Sequence, residues 1–296
     1  MLDACGPYNL LSVKEGDEYM LAFRTRYGLF EPTVMQFGTT NAPAHFQGYI
    51  NITIWEALDD FPSPYLDNIS IYSDSEEEHE EHLYSILQSL LEAGLHFKPD
   101  ECKFHKETVR YFGLIVSLKG ISMEEDMVEI VNNGRWEKKP TNGRLYNLIK
   151  AKEFLLFCNS YWQFIPCYSE TAEPLTGLTM KDEPFRWEAE QHLAFETMAT
   201  AFTTAPVLWH FDHEMEVVIE SDASDYVSNG VLSQYDNAGV LHPVAYYSKK
   251  HTPAKCNYDI YGTELMAFMN ALKEWSPECE GAAYPLQLLT DHMNVE

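Results

Sequence analysis

The chain has 296 residues, 45% of them hydrophobic and 14% aromatic, enough for two or three domains with buried cores and too apolar for an intrinsically disordered protein. Its 46 Asp and Glu against 20 Lys and Arg give a formal net charge of −26, which repels polyanions unless the few cations line one groove. No apolar run reaches bilayer-spanning length and no basic segment followed by an apolar one opens the chain, so no membrane partner is expected. Cys5, Cys102, Cys158, Cys167, Cys256 and Cys279 are scattered without a C-x-x-C pair. That spacing argues against a zinc site or disulfide framework and for reduced thiols in an intracellular setting, cytoplasmic or nuclear.

In chain order, Gln36 to Asn41 reads as a loop entering a helix near Ala42-Pro43, with proline in its first turn. Phe61-Pro62-Ser63-Pro64 is a turn, and Ile69 to Ser73 alternates as a half-buried strand. Asp67-Asn68 between those segments predicts the tip of a tight hairpin. Ser75-Glu76-Glu77-Glu78 is a capping box, opening a helix that runs to a terminating Gly94 with Leu83, Ile86, Leu87, Leu90 and Leu91 on its inner face. A hairpin of Tyr111 to Ser117 and Ile121 to Met123 follows, then a capped helix burying Met127, Ile130 and Val131. Asn132 to Gly143 is a linker by composition, and helical patterns resume over Leu145 to Phe164 and Glu188 to Phe202. Strands are expected at Met215 to Asp222, Gly230 to Gln234 and Val240 to Tyr246. Next come a helix from Tyr258 to Trp275, burying Tyr261, Leu265, Phe268 and Leu272, and a strand from Leu286 to Asp291.

Tyr65-Leu66-Asp67-Asn68 resembles the Tyr-x-Asp-Asp hairpin of reverse transcriptases, and the likeness extends along most of the chain. Leu2 to Asn9, Phe23 to Glu31, Gln36 to Gln47, Tyr111 to Ser117, Ala205 to Leu208 and Glu220 to Asp225 resemble further blocks of the Ty3/Gypsy-type retrotransposon polyproteins, in the family's order. The resemblance implies an α/β (α+β) fold: a partial reverse-transcriptase palm and thumb, then an incomplete ribonuclease H-like mixed sheet with helix. It divides the chain into a palm without fingers over 1–123, a thumb and connection over 124–210, and a C-terminally truncated ribonuclease H-like domain over 211–296.

It also implies RNA-directed DNA synthesis and cleavage of hybrid RNA. Both use paired Mg²⁺ ions roughly 3.5–4 Å apart and held by converging carboxylates. Carried over by motif, Asp3 and Asp67 are the polymerase metal ligands, and Asn68 stands where the family has the second hairpin aspartate. Tyr8, Phe37 and Gly38 match nucleotide-binding positions. Asp222, Glu264 and Asp291 match the nuclease metal ligands, while Asp225 reads as a turn residue. The implied partners are an RNA or DNA template-primer, an RNA:DNA hybrid, deoxynucleotides and other polyprotein segments.

Several features depart from the family. An amide at Asn68 brings no negative charge to a metal. Only Met1 and Leu2 precede Asp3, so its strand is expected to be nearly absent. From Ser73 to His82 there are six carboxylates and no Lys or Arg, and Tyr161-Trp162-Gln163-Phe164-Ile165 lacks the family's arginines. The sequence therefore predicts a degenerate enzyme, with a non-enzymatic relic or a protein-interaction scaffold as alternatives. His79-Glu80-Glu81-His82 is one residue short of a zinc-protease motif and lies on an acidic helix face; His210 and His213 read as surface histidines.

Overall fold

The computed structural model describes residues 1–58, 60–132, 148–181, 183–224, 226–252 and 258–290. The chain divides into two compact units, Met1–Val109 and Arg110–Glu296.

The first unit is built on a small sheet in the order β1 (Leu2–Asp3), β5 (Asn68–Ile71), β4 (Pro62–Tyr65). A separate hairpin of β2 (Phe23–Thr25) and β3 (Gly28–Phe30) precedes helix α1 (Ala42–Thr53). Strand alternation sets the faces: Ile69 and Ile71 are buried, so Asn68 and Ser70 take the opposite face. Although only two residues long, β1 pairs antiparallel with β5, Leu2 opposite Ile69 and Asp3 opposite Asn68. Leu2 and Ile69 are both fully buried with Phe46, Ile50, Ile86, Leu90 and Leu95. Burying that pair turns Asp3 and Asn68 together onto the other face.

Helix α2 (Glu76–Glu92) starts where the capping box placed it. Ser75 Oγ accepts from the Glu78 amide at 3.2 Å, while Glu78 Oε2 accepts from Asp74 N rather than from the cap residue itself. Its end is a Schellman arrangement. Gly94, at φ 75°, donates to Leu91 O and Leu95 donates to Leu90 O, both at 2.9 Å. Ile86 and Leu90 are buried as the periodicity requires, but Leu91 points to solvent.

The unit boundary falls inside β6 (Thr108–Tyr111), which forms a three-stranded sheet with β7 (Leu114–Ser117) and β8 (Gly120–Met123). The single strand expected over Tyr111 to Ser117 is therefore broken. Phe112 and Gly113 take φ of 49° and 80°, the two positive values of a tight turn that reverses the chain there. Helix α3 (Glu125–Asn132) follows as expected, whereas most of the linker up to Gly143 lies outside the described residues.

Helices α4 (Leu148–Asn159), α5 (Tyr168–Thr171), α6 (Glu173–Gly177) and α7 (Ala189–Thr203) enclose an aromatic core of Phe154, Phe164, Phe195 and Phe202 with Leu175 and Met198. Glu188 and Gln191 form the reciprocal cap that starts α7.

The remaining elements make a mixed sheet ordered β11 (Leu241–Lys250), β10 (Val227–Tyr235), β9 (Val217–Ala223), β12 (Gln287–Leu289). β12 runs parallel to β9; the other pairs are antiparallel. Helix α8 (Ile260–Glu274) crosses β9 and β10, and the short α9 (Ser276–Cys279) follows it. The inner face of α8 differs from the expected stripe. Thr263, Glu264, Ala267, Phe268 and Ala271 are buried, while Tyr261 and Leu265 are half exposed. The small Ala267 and Ala271 let the helix lie close on the sheet, and that rotates the larger side chains outward.

Candidate functional site

The first candidate centre lies on the polar face of the small sheet. The hairpin tip is one residue earlier than the sequence predicts: Tyr65 pairs with Asn68, so the turn is Leu66-Asp67 and Asn68 opens β5. A clamp from α1 accounts for the shift. Gln47 Oε1 accepts from the Leu66 amide at 2.7 Å, and Gln47 Nε2 donates to Pro64 O at 3.1 Å and Asn51 Oδ1 at 2.8 Å. The clamp holds Leu66 at φ 52°, a left-handed conformation costly for a branched side chain.

Asp3 and Asp67 meet here through backbone pairing: the amide of Ala4, next to Asp3, donates to Asp67 O at 2.8 Å. Asn68 Nδ2 donates to Asp67 Oδ1 at 3.2 Å. A turn over residues 98–102 wraps the other side of β1. Lys98 N donates to Asp3 O at 3.1 Å, and Asp3 N donates to Cys102 Sγ at 3.4 Å. Lys98 Nζ lies 3.7 Å from Asp3 Oδ1 and 2.9 Å from Glu101 Oε2. Burial pushes the Asp3 carboxyl above its ordinary range, helped by the neighbouring charges of Glu101 and Asp67 and opposed by Lys98.

Tyr8 sits in a 3₁₀ turn over Pro7–Leu10, packed edge-on to Phe37 at 5.0 Å between ring centroids and to Phe46 at 5.8 Å. Phe37 is exposed and Gly38 takes φ 89°, so these nucleotide-binding candidates lie together at the edge of the core.

The second candidate centre is less complete. Asp222 is exposed on β9 opposite Asn229 of β10, whose Oδ1 accepts from Ser248 Oγ at 2.7 Å. Glu264 is buried on α8, which packs across those two strands. Asp291 and Asp225 lie outside the described residues. Burial pushes the Cys167 thiol up, with Glu170 and Asp222 adding to the effect, so Cys167 lies within electrostatic reach of Asp222.

The donors at the first centre do not fit two divalent cations as they stand. Its carboxylates already face N–H groups of Asn68 and Lys98, and among the described residues no three His, Cys, Asp or Glu side chains are arranged to hold a metal ion. Gln47, Lys98 and Glu101 escaped the sequence reading. A polar Gln47 between Phe46 and Ile50, both buried on α1, was the one available signal.

Fold and sequence together define a reverse transcriptase segment followed by a ribonuclease H-like one. Residues 1–116 match the family of reverse transcriptase (RNA-dependent DNA polymerase), and residues 187–286 match the RNase H-like domain found in reverse transcriptase. Within that class the chain is similar to retrotransposon polyproteins. The Tf2-3 and Tf2-7 transposon polyproteins of Schizosaccharomyces pombe (strain 972 / ATCC 24843) are each 37% identical over 294 residues, 99% of this chain. This chain spans 22% of the length of those relatives.

Among solved structures, the foamy viral protease-reverse transcriptase in complex with an RNA/DNA hybrid gives a TM-score of 0.79 at 20% identity. That match covers 98% of this chain and 38% of the other. The same protein with double-stranded DNA gives 0.78 at 20% identity, covering 99% and 59%. Both likenesses concern the fold. Reverse transcriptases and RNase H-like domains generally use divalent metals.

Proposed function

We propose that this chain is the palm (1–123), thumb and connection (124–210) and ribonuclease H-like part (211–296) of a Ty3/Gypsy-type RNA-directed DNA polymerase, with a degenerate polymerase centre. In an intact relative, Mg²⁺ bound by Asp3 and Asp67 would supply activation of a primer hydroxyl and neutralisation of a deoxynucleotide triphosphate. Tyr8, Phe37 and Gly38 would line the nucleotide position. Asp222, Glu264 and Asp291 would serve hybrid-RNA cleavage. Template-primer, RNA:DNA hybrid and other polyprotein segments are the corresponding partners.

One observation carries the degeneracy: the hairpin delivers the amide of Asn68, donating to Asp67, where a further carboxylate is needed. A relic without catalysis is the second reading, favoured by the same amide and by the charge of −26, because cations supply most nucleic-acid affinity. Lys98, Arg110, Lys150 and Lys250 are further occupied in pairs with this chain's own carboxylates.

Primer extension on an RNA template with Mg²⁺ separates the readings. The unaltered chain should give no product, and Asn68→Asp should give measurable extension. Equal extension by both would remove the degeneracy argument, and none from Asn68→Asp would leave the relic.

A further inference from the structure

We propose that Lys98 is a tethered cation of the polymerase centre, occupying the space beside Asp3 that a divalent ion would need. The inference rests on Asp3 and Asp67 being that centre's carboxylates.

The position of Lys98 is fixed by main chain rather than by chance contact of a surface side chain. Ala4 and Phe97 form an isolated β-bridge, and the Lys98 amide donates to Asp3 O at 3.1 Å. Lys98 O in turn accepts from the amides of Glu101 at 3.0 Å and Cys102 at 3.1 Å, closing a helical turn. That turn sets Glu101 three residues on, where its carboxylate holds the ammonium at 2.9 Å and keeps it 3.7 Å from Asp3 Oδ1.

Charge and size then decide what else fits. Asp3, Asp67 and Glu101 contribute three negative charges and Lys98 one positive, a formal −2 against the +4 of two Mg²⁺. A Mg²⁺ ion bonds carboxylate oxygen at about 2.0–2.1 Å, so an ion bound to Asp3 Oδ1 on the side that faces Lys98 would overlap the ammonium 3.7 Å away. Lys98 is 42% exposed and can swing into solvent, but doing so gives up both carboxylates. Its effect is therefore a competition rather than a block. An ammonium also cannot replace the metal chemically, because it does not lower the pKa of a bound hydroxyl as Mg²⁺ does. The geometry thus assigns this chain two losses in one centre, the missing carboxylate at Asn68 and an occupied cation position at Asp3.

The test is Mn²⁺ binding, followed by electron paramagnetic resonance on the full chain without nucleic acid. Lys98→Met should bind Mn²⁺ roughly tenfold more tightly than the unaltered chain, the scale expected for removing one partly screened charge. The gain should vanish in Lys98→Met/Asp67→Asn and should not appear in Lys98→Arg. Lys98→Gln replaces Lys98→Met if circular dichroism shows that the latter is unfolded. Unchanged affinity, or a gain that survives Asp67→Asn, overturns the proposal. Extension by Asn68→Asp is scored separately. Unmoved Mn²⁺ affinity alongside restored extension removes the Lys98 proposal alone, and a gain in Mn²⁺ affinity without extension from either variant counts against the polymerase reading alone.

Discussion

Gln47 is the side chain on which the hairpin geometry turns. Its carboxamide satisfies the Leu66 amide and the Pro64 carbonyl at once, and that pairing fixes the left-handed Leu66. Replacing it by Leu leaves both main-chain groups without their partner. Gln47→Leu should lower stability by about 1–2 kcal/mol. Amide exchange at Leu66 should quicken by more than the global loss accounts for; a uniform change across the unit would show that Gln47 acts only through core packing. That Asp3, Asp67 and Asn68 lie together was legible because each sits in a strong motif. Which of them occupies the turn was not, because a contact from a helix ending nine residues before the hairpin sets it. The Lys98 ammonium is hidden for the same reason: it reaches Asp3 across 95 residues of sequence.

At the scale of elements, local signals served well where they were self-contained. The Ser75 cap and the Gly94 terminus both lie within a few residues of the helix they bound. They failed where a neighbour intervened. The exposed Leu265 follows from the closeness of α8 to its sheet, which periodicity alone does not encode. Gly120 illustrates how tight such neighbours can be. It has φ 127°, and a Cβ there would lie 2.1 Å from the carbonyl oxygen of Leu208, whose strand-like pairing with Ile121 uses bonds of 2.7 and 2.8 Å. Main chain cannot yield as a side-chain tip can. Gly120→Ala should therefore cost about 2 kcal/mol or more in chemical denaturation, by strain at a special φ and loss of the Ile121–Leu208 pair. A loss below about 0.5 kcal/mol, the range of an ordinary surface change, would contradict that close approach.

For the whole molecule, the fold class was legible from the order of motifs, while the two compact units rest on packing between distant segments. The sequence places boundaries at 123 and 210, while packing divides the chain at Val109 and keeps the helices of 148–203 with the mixed sheet. Calorimetry should resolve two transitions, with Gln47→Leu lowering only the first unit's and Gly120→Ala only the second's. A single transition shifted by either substitution would mean that the units unfold as one.

The pairing of Ser169 with Ser248 bears on where this chain tolerates a cut. The Ser169 amide donates to Ser248 Oγ at 2.8 Å and the Ser169 hydroxyl donates to Ser248 O at 2.9 Å. Ser248 belongs to β11, the outermost strand, so α5 shields part of a border that would otherwise recruit foreign strands. A protease that severed the nuclease-like half just ahead of residue 211 would release a piece with a sticky flank. Cleavage there should raise self-association in analytical ultracentrifugation, and an unchanged sedimentation profile would contradict the shielding.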